Sequence, residues 1–291
     1  MISFVRRLLV VVVIAARPLG AQRVAGDTIA RDTNAVRPDR STSGINVESA
    51  SLRAPTRLDL RLAAGLVLGS LAVIALDRSA ESWLQRPSLQ RNHALQSTAA
   101  GFNWLGGTGL FAGSVASLAI GRLTGNDRLS EIGFRTTEAI AASSAVVGLT
   151  KGLVGRQRPF LETNDPADFF VGRGFGNSGL TSFPSGHTAA AFSAATVLSL
   201  ETRRYWPHAS PVVTPLLYAG ATTVGVARMY NSKHWASDVA LGATIGTFSG
   251  LQVMRYNDAH PDNRLARLLT RTSIAPSGGR GVTVGLTIPF R

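Results

Sequence analysis

From Leu58 the chain alternates long apolar runs with short polar joints. Six runs stand out: Leu62 to Leu76, Gly101 to Gly121, Ala139 to Val154, Phe183 to Leu200, Val212 to Ala227 and Val239 to Met254. All have helical length and are dominated by Ala, Leu, Val and Gly, which predicts an all-α bundle of about six core helices. Small residues recur at spacing four, as in Gly65 and Gly69, Gly109 and Gly113, and Gly242, Gly246 and Gly250. That spacing lets helix backbones approach closely, a habit of membrane bundles that Gly-rich soluble packing shares.

Outside residues 58–258 the pattern fades. Residues 22–57 mix Arg, Asp, Ser, Thr and Pro with few large apolar side chains, so they read as a flexible arm. Residues 1–21 place Arg6 and Arg7 before the short run Leu8 to Ala16 and end on Ala21, the layout of a secretory signal too short to span a bilayer. Residues 259–291 form a polar tail. The rough alternation from Gly281 to Phe290 predicts one lone strand or an extended end. The polar, Gly-rich stretch Glu162 to Ser182 is long enough to act as a lid or to carry substrate contacts.

Composition narrows the function classes. A formal net charge of +13 favours anionic partners, and the spread of that charge makes nucleic acid the weakest of them. There is no cysteine, which removes disulfides, thiolate catalysis and cysteine-bound zinc. Almost every basic residue is arginine; the lysines are Lys151 and Lys233. A mean hydropathy of +0.14 leaves both soluble and integral readings open.

Three polar clusters sit at the ends of the apolar runs. The first is Lys151 with Arg158-Pro159, a mobile point charge and a planar fork suited to phosphate oxygens. The second is Phe183-Pro184-Ser185-Gly186-His187-Thr188. Proline at the first helical position, with Ser182 or Thr181 as cap, predicts a helix start whose amides bind an anion, with Gly186 permitting close approach and His187 placed to give a proton. The third is Arg228, His234 and Asp238, where a helix beginning near Ser237 puts the carboxylate one turn after the imidazole. Taken singly, each has an ordinary reading as a helix cap, a solvated cation or a surface hydrogen bond. In an antiparallel bundle, however, the four run ends that bear them lie on one side and converge.

The stretches Lys151 to Pro159, Pro184 to His187, and Arg228 through His234 to Asp238 resemble, in order and spacing, the PAP2 family of type 2 phosphatidic acid phosphatases and vanadium haloperoxidases. The resemblance covers the six-run core, and Ala227 departs from it where the family commonly has serine. It implies a metal-independent phosphatase that hydrolyses phosphomonoester or pyrophosphate bonds, most readily of a lipid or polyprenyl phosphate. In that reading His234 is the nucleophile that forms a phosphohistidine, Asp238 orients it, and His187 protonates the leaving group and then activates water. Lys151, Arg158, Ser185, Gly186 and Arg228 bind phosphate. No cofactor or metal is implied; vanadate is expected as a phosphate-mimicking inhibitor. The alternatives are a secreted acid phosphatase acting on soluble phosphomonoesters, a vanadium-dependent haloperoxidase with vanadate as cofactor, and a catalytically inactive membrane scaffold. The expected partners are a phosphorylated substrate and an anionic membrane surface, and the expected location is the cell envelope, periplasmic or membrane-associated. A cleaved signal followed by six spans would place the site on the cytoplasmic side, whereas bacterial relatives usually face the periplasm; either some helices do not span or the signal reading fails.

Overall fold

The computed structural model describes residues 57–161, 165–260, 272–276 and 282–286. The signal, the arm before Arg57 and most of the tail lie outside the described residues. The helices are α1 (Arg57–Ala72), α2 (Ile74–Leu84), the short α3 (Pro87–Gln90), α4 (His93–Trp104), α5 (Leu110–Leu123), α6 (Asp127–Val154), α7 (Gly186–Tyr205), α8 (Ser210–Tyr230) and α9 (Ala236–Ala259). A π-helical turn, Leu105–Gly109, joins α4 to α5.

The first apolar run is therefore two helices, broken at Val73. Helix α2 outlasts the apolar letters because its polar residues find partners inside the protein: Asp77 pairs with Arg156 and Glu81 accepts from Ser232. The second run is one segment of 31 residues, His93–Leu123, interrupted only by the π turn.

Helix α7 is the axis. It is buried on nearly every side, with α6, α8 and α9 packed around it. The α7–α9 contact depends on small residues: a Cβ on Gly242, Gly246 or Gly250 would run into Ser185, Ala189 or Ser193 and Thr196 of the facing chain. Of the other spaced glycines, Gly109 is crowded by Trp104 of its own segment, where a Cβ would come within 2.9 Å. Added Cβ atoms at Gly65, Gly69 and Gly113 meet nothing within 4 Å.

Ion pairs tie one end of the bundle. There Arg135 of α6 reaches Glu201 of α7 at 2.7 Å and Asp258 of α9 at 3.1 Å. The opposite end holds the three polar clusters. Beyond the bundle, Thr272–Pro276 (β1) pairs antiparallel with Val282–Leu286 (β2), so the tail carries a two-stranded ladder rather than a lone strand.

Among the described residues, two segments are long and apolar enough to cross a membrane: His93–Leu123 and Ser210–Tyr230, with 17% and 22% of their windows buried. A soluble core helix would be mostly buried. Here Trp104, Phe111, Leu123, Val212 and Leu216 face outward, the surface that a lipid environment would cover.

Candidate active site

Helix α6 ends at Gly155, which adopts φ +64° and donates its N–H to Lys151 O. The left-handed turn suits glycine, and a Cβ there would strike Phe170 O. The chain then runs extended through Arg158. Gln157 N donates to Asp168 O, Arg158 N to Gly179 O and Ser182 N to Arg156 O. The stretch expected to act as a lid is thus laced to the Lys151–Arg158 segment by backbone hydrogen bonds.

Helix α7 begins at Gly186, two residues after Pro184, the expected first helical position. Ser185 is the N-cap, its Oγ accepting from Thr188 N at 3.4 Å and Thr188 Oγ1 at 2.8 Å. Pro184 precedes the cap through a cis peptide bond with Phe183. Ser182, expected as a cap, donates instead to Asp238 Oδ2. Its hydroxyl is drawn to an ionised carboxylate, a stronger acceptor than a neutral group. The Gly186 and His187 amides open the helix and have no carbonyl one turn back to bond.

Helix α8 delivers Arg228 in its last turn, and a short loop leads to α9, which begins at Ala236, next to Ser237 as expected, with Trp235 as its N-cap. Three bonds fix this loop: Ser185 N to Asp238 O at 2.9 Å, Trp235 Nε1 to Gln157 O at 3.0 Å, and Phe160 N to Ser232 O at 3.0 Å. Together they join all three clusters.

His234 is 2% exposed and Asp238 fully buried. Nδ1 of His234 lies 3.4 Å from Asp238 Oδ2 and has no other partner. Asp238 is immobilised by Arg156 on Oδ1 and by Ser182 Oγ and Trp235 N on Oδ2. Although burial alone would raise it, these partners and His234 hold its carboxyl below the usual carboxylate range. An ionised Asp238 facing Nδ1 favours the proton there and leaves Nε2 of His234 as the nitrogen with a free lone pair.

Lys151 Nζ donates to Thr181 O and lies 3.4 Å from Ser182 O. Arg158 spreads over Ser178 O, Lys233 O and Thr181. Arg228 donates to Asn103 Oδ1 at 3.2 Å, and its buried Nε has no partner. Burial pushes the Lys151 ammonium down to about 7, with Arg158 adding to the fall and Asp238 opposing it. The His187 imidazole is lowered to about 4 by burial and then by Arg228, Lys151 and Arg158. Burial takes His234 to about 3 against the pull of Asp238. The result is two neutral imidazoles beside a cluster of cations with too few counter-charges, a setting that draws in a polyanion.

The expected residues Lys151, Arg158, Ser185, Gly186, His187, Arg228, His234 and Asp238 are therefore brought to one end of the bundle. Lys233 is not part of the cluster; its ammonium sits 4.3 Å from the Phe160 ring centroid. Four contributors were not singled out by sequence. Arg156 is fully buried among the rings of Phe169, Phe183 and Trp235, at 5.2, 5.7 and 5.5 Å, and grips Asp238. Asp77 of α2 holds Arg156, and Asn103 of α4 holds Arg228. Gly107, in the π turn, is the fourth: a Cβ there would lie 2.8 Å from His187 Nε2.

Comparison with known proteins points to the same family that the sequence resembles. The PAP2 superfamily model matches residues 134–261, which contain all three clusters. Over that stretch the chain is similar to the PAP2 superfamily. A lipid A 1-phosphatase from Porphyromonas gingivalis is 44% identical over 69 residues, 24% of this chain and 15% of the relative's length. Among solved structures, the transmembrane PAP2 type phosphatidylglycerolphosphate phosphatase from Bacillus subtilis is similar with a TM-score of 0.50 at 18% identity, covering 67% of this chain and 96% of that one. It supports the all-α PAP2 bundle. LpxE from Aquifex aeolicus aligns with a TM-score of 0.46 and 26% identity, over 62% of this chain and 96% of that one.

Proposed function

We propose that this PAP2 protein is a membrane phosphatase acting on a lipid phosphate through a phosphohistidine at His234. The observation that carries the reading is the buried His234–Asp238 pair beside three cationic side chains that no carboxylate among the described residues neutralises pairwise. In the first step Nε2 of His234 attacks phosphorus, the ester P–O bond breaks, and the leaving alkoxide takes a proton from His187. In the second, His187 accepts a proton from water as the water oxygen attacks phosphorus. The P–N bond then breaks and inorganic phosphate departs.

A free-state value of about 4 leaves His187 neutral at pH 7, whereas the first step needs it protonated. The substrate supplies the correction. A phosphate dianion among Lys151, Arg158 and Arg228 offsets the positive charge that depresses the imidazole, so His187 gains its proton as substrate binds. The same cations, with the Gly186 amide and Ser185, stabilise the charge that grows on the equatorial oxygens. Losing one such donor costs about 3 kcal/mol, roughly a hundredfold in rate.

The lipid assignment rests on the outward apolar faces of α4, α5 and α8 and on the lipid A 1-phosphatase likeness. Its test is phosphate release, in EDTA, by membranes washed with alkaline carbonate after expression of the full chain. Release from phosphatidic acid or a lipid A-type phosphate, exceeding that from a soluble phosphomonoester, is expected. Activity confined to the wash supernatant and to soluble esters would replace this reading with the soluble acid phosphatase.

A further inference from the structure

We propose that Asp77 is a positioning residue for the nucleophile: by dividing the Arg156 guanidinium between two carboxylates, it keeps one oxygen of Asp238 free to face His234. The proposal rests on the phosphohistidine reading and adds to it a residue from α2, well before the stretch 134–261 that the family model matches.

The geometry is specific. Asp77 and Arg156 are both fully buried. Nη2 of Arg156 lies 2.7 Å from Asp77 Oδ2, and Nη1 lies 2.5 Å from Asp238 Oδ1. Asp77 also accepts from Ser237 N at 2.8 Å through Oδ1 and from Ser237 Oγ at 2.6 Å through Oδ2. Ser237 directly precedes Asp238, so Asp77 grips the backbone at the first turn of α9 as well as the cation beside it.

A guanidinium prefers to meet a carboxylate with two parallel N–H donors. Were Arg156 free to do so, it would take both oxygens of Asp238, including Oδ2, which faces Nδ1 of His234. Asp77 prevents this by claiming the second arm of the fork. Arg156 therefore reaches Asp238 through Nη1 alone, and Oδ2 keeps only Ser182 Oγ and Trp235 N beside the imidazole. Arg156 is fully buried among the rings of Phe169, Phe183 and Trp235, so its N–H groups are shared between the two carboxylates, the Ser237 hydroxyl and the Pro166 carbonyl.

The test is Asp77→Asn in the full chain, with folding checked by a cooperative thermal melt. The amide keeps the shape and removes the charge. We expect kcat to fall about tenfold to a hundredfold, as for partners that orient a reacting ligand, with KM within about threefold. A second readout does not need turnover: ¹⁵N-histidine spectra of the free protein, with His234 assigned from His234→Ala. The wild type should hold the proton on Nδ1, and Asp77→Asn should mix the two tautomers. Ser237→Ala, which removes one of the contacts, should shift both readouts in the same direction by less, and it carries the test if Asp77→Asn does not fold. A folded variant with unchanged kcat and unchanged tautomer overturns the proposal. A wild type that releases no phosphate from any ester defeats the phosphatase reading, while the spectra still decide the role of Asp77.

Discussion

The His234 imidazole is buried beside a carboxylate held by three donors, while Lys151, Arg158 and Arg228 remain half-buried around it. On the proposed function, that contrast separates a rigid nucleophile from a receptive anion site. It makes binding of phosphate or orthovanadate dependent on Lys151. In the free protein this lysine titrates near 7, because burial and Arg158 oppose its charge, and the bound anion restores it. Below pH 7 the ammonium is already present. Above it, each binding event must also take up a proton, so affinity for orthovanadate should weaken by up to about tenfold per pH unit through pH 8. Calorimetry in two buffers of different ionisation heat would show the uptake; a flat affinity and no uptake would mean that Lys151 is charged throughout. In Lys151→Met the Lys151 share of the slope should be lost, leaving the proton that His187 takes up, and binding should be weak at every pH. His187, His234, Asp238 and the three cations were legible because they recur at fixed spacing near the ends of apolar runs. Arg156 was not: in a chain where nearly all basic residues are arginine, nothing in its letter distinguishes it from its neighbours. Asp77 and Asn103 lie far from their partners in sequence, and only folding reveals the pairings.

At the scale of elements, the site depends on how closely α9 approaches α7. Ser185 caps α7 and its carbonyl also lies against Gly242, so the position of the anion-facing helix start is coupled to this contact. Gly246 is the sharpest case, since a Cβ would collide with the Ala189 carbonyl. Overpacking of this kind costs about 1–3 kcal/mol. We expect Gly246→Val to lower the melting temperature and to reduce kcat by separating the start of α7 from Asp238, whereas Gly113→Val, facing open space, should change neither. Equal effects at the two positions would show that glycine spacing, and not this contact, matters. The spacing itself could not tell these glycines apart, because a sequence periodicity does not say which face meets a neighbour. Run lengths located the helices well but missed the break at Val73 and the true start of α7. The start was set by Ser185 winning the cap while Ser182 was drawn to Asp238.

For the whole molecule, the bundle has one end closed by the Arg135, Glu201 and Asp258 ion pairs and one end that gathers the cationic cluster. Helices before the family-matched stretch complete that second end through Asp77, Asn103 and Gly107. The all-α class was legible in the apolar runs, and the convergence of the clusters followed from antiparallel order. The pairing of β1 with β2 was not, since Thr272 to Pro276 carries no alternation strong enough to announce a strand. The account stands or falls on a covalent intermediate at His234. The most direct measurement is rapid quench of the full-length protein with a phosphate-labelled lipid substrate, followed by alkaline and acid treatment of the protein and comparison with His234→Ala. We predict label that survives alkali, is lost in acid, maps to His234 and is absent from the variant. Label retained in His234→Ala, or turnover with no trapped label under conditions where hydrolysis of the intermediate limits the rate, would contradict it.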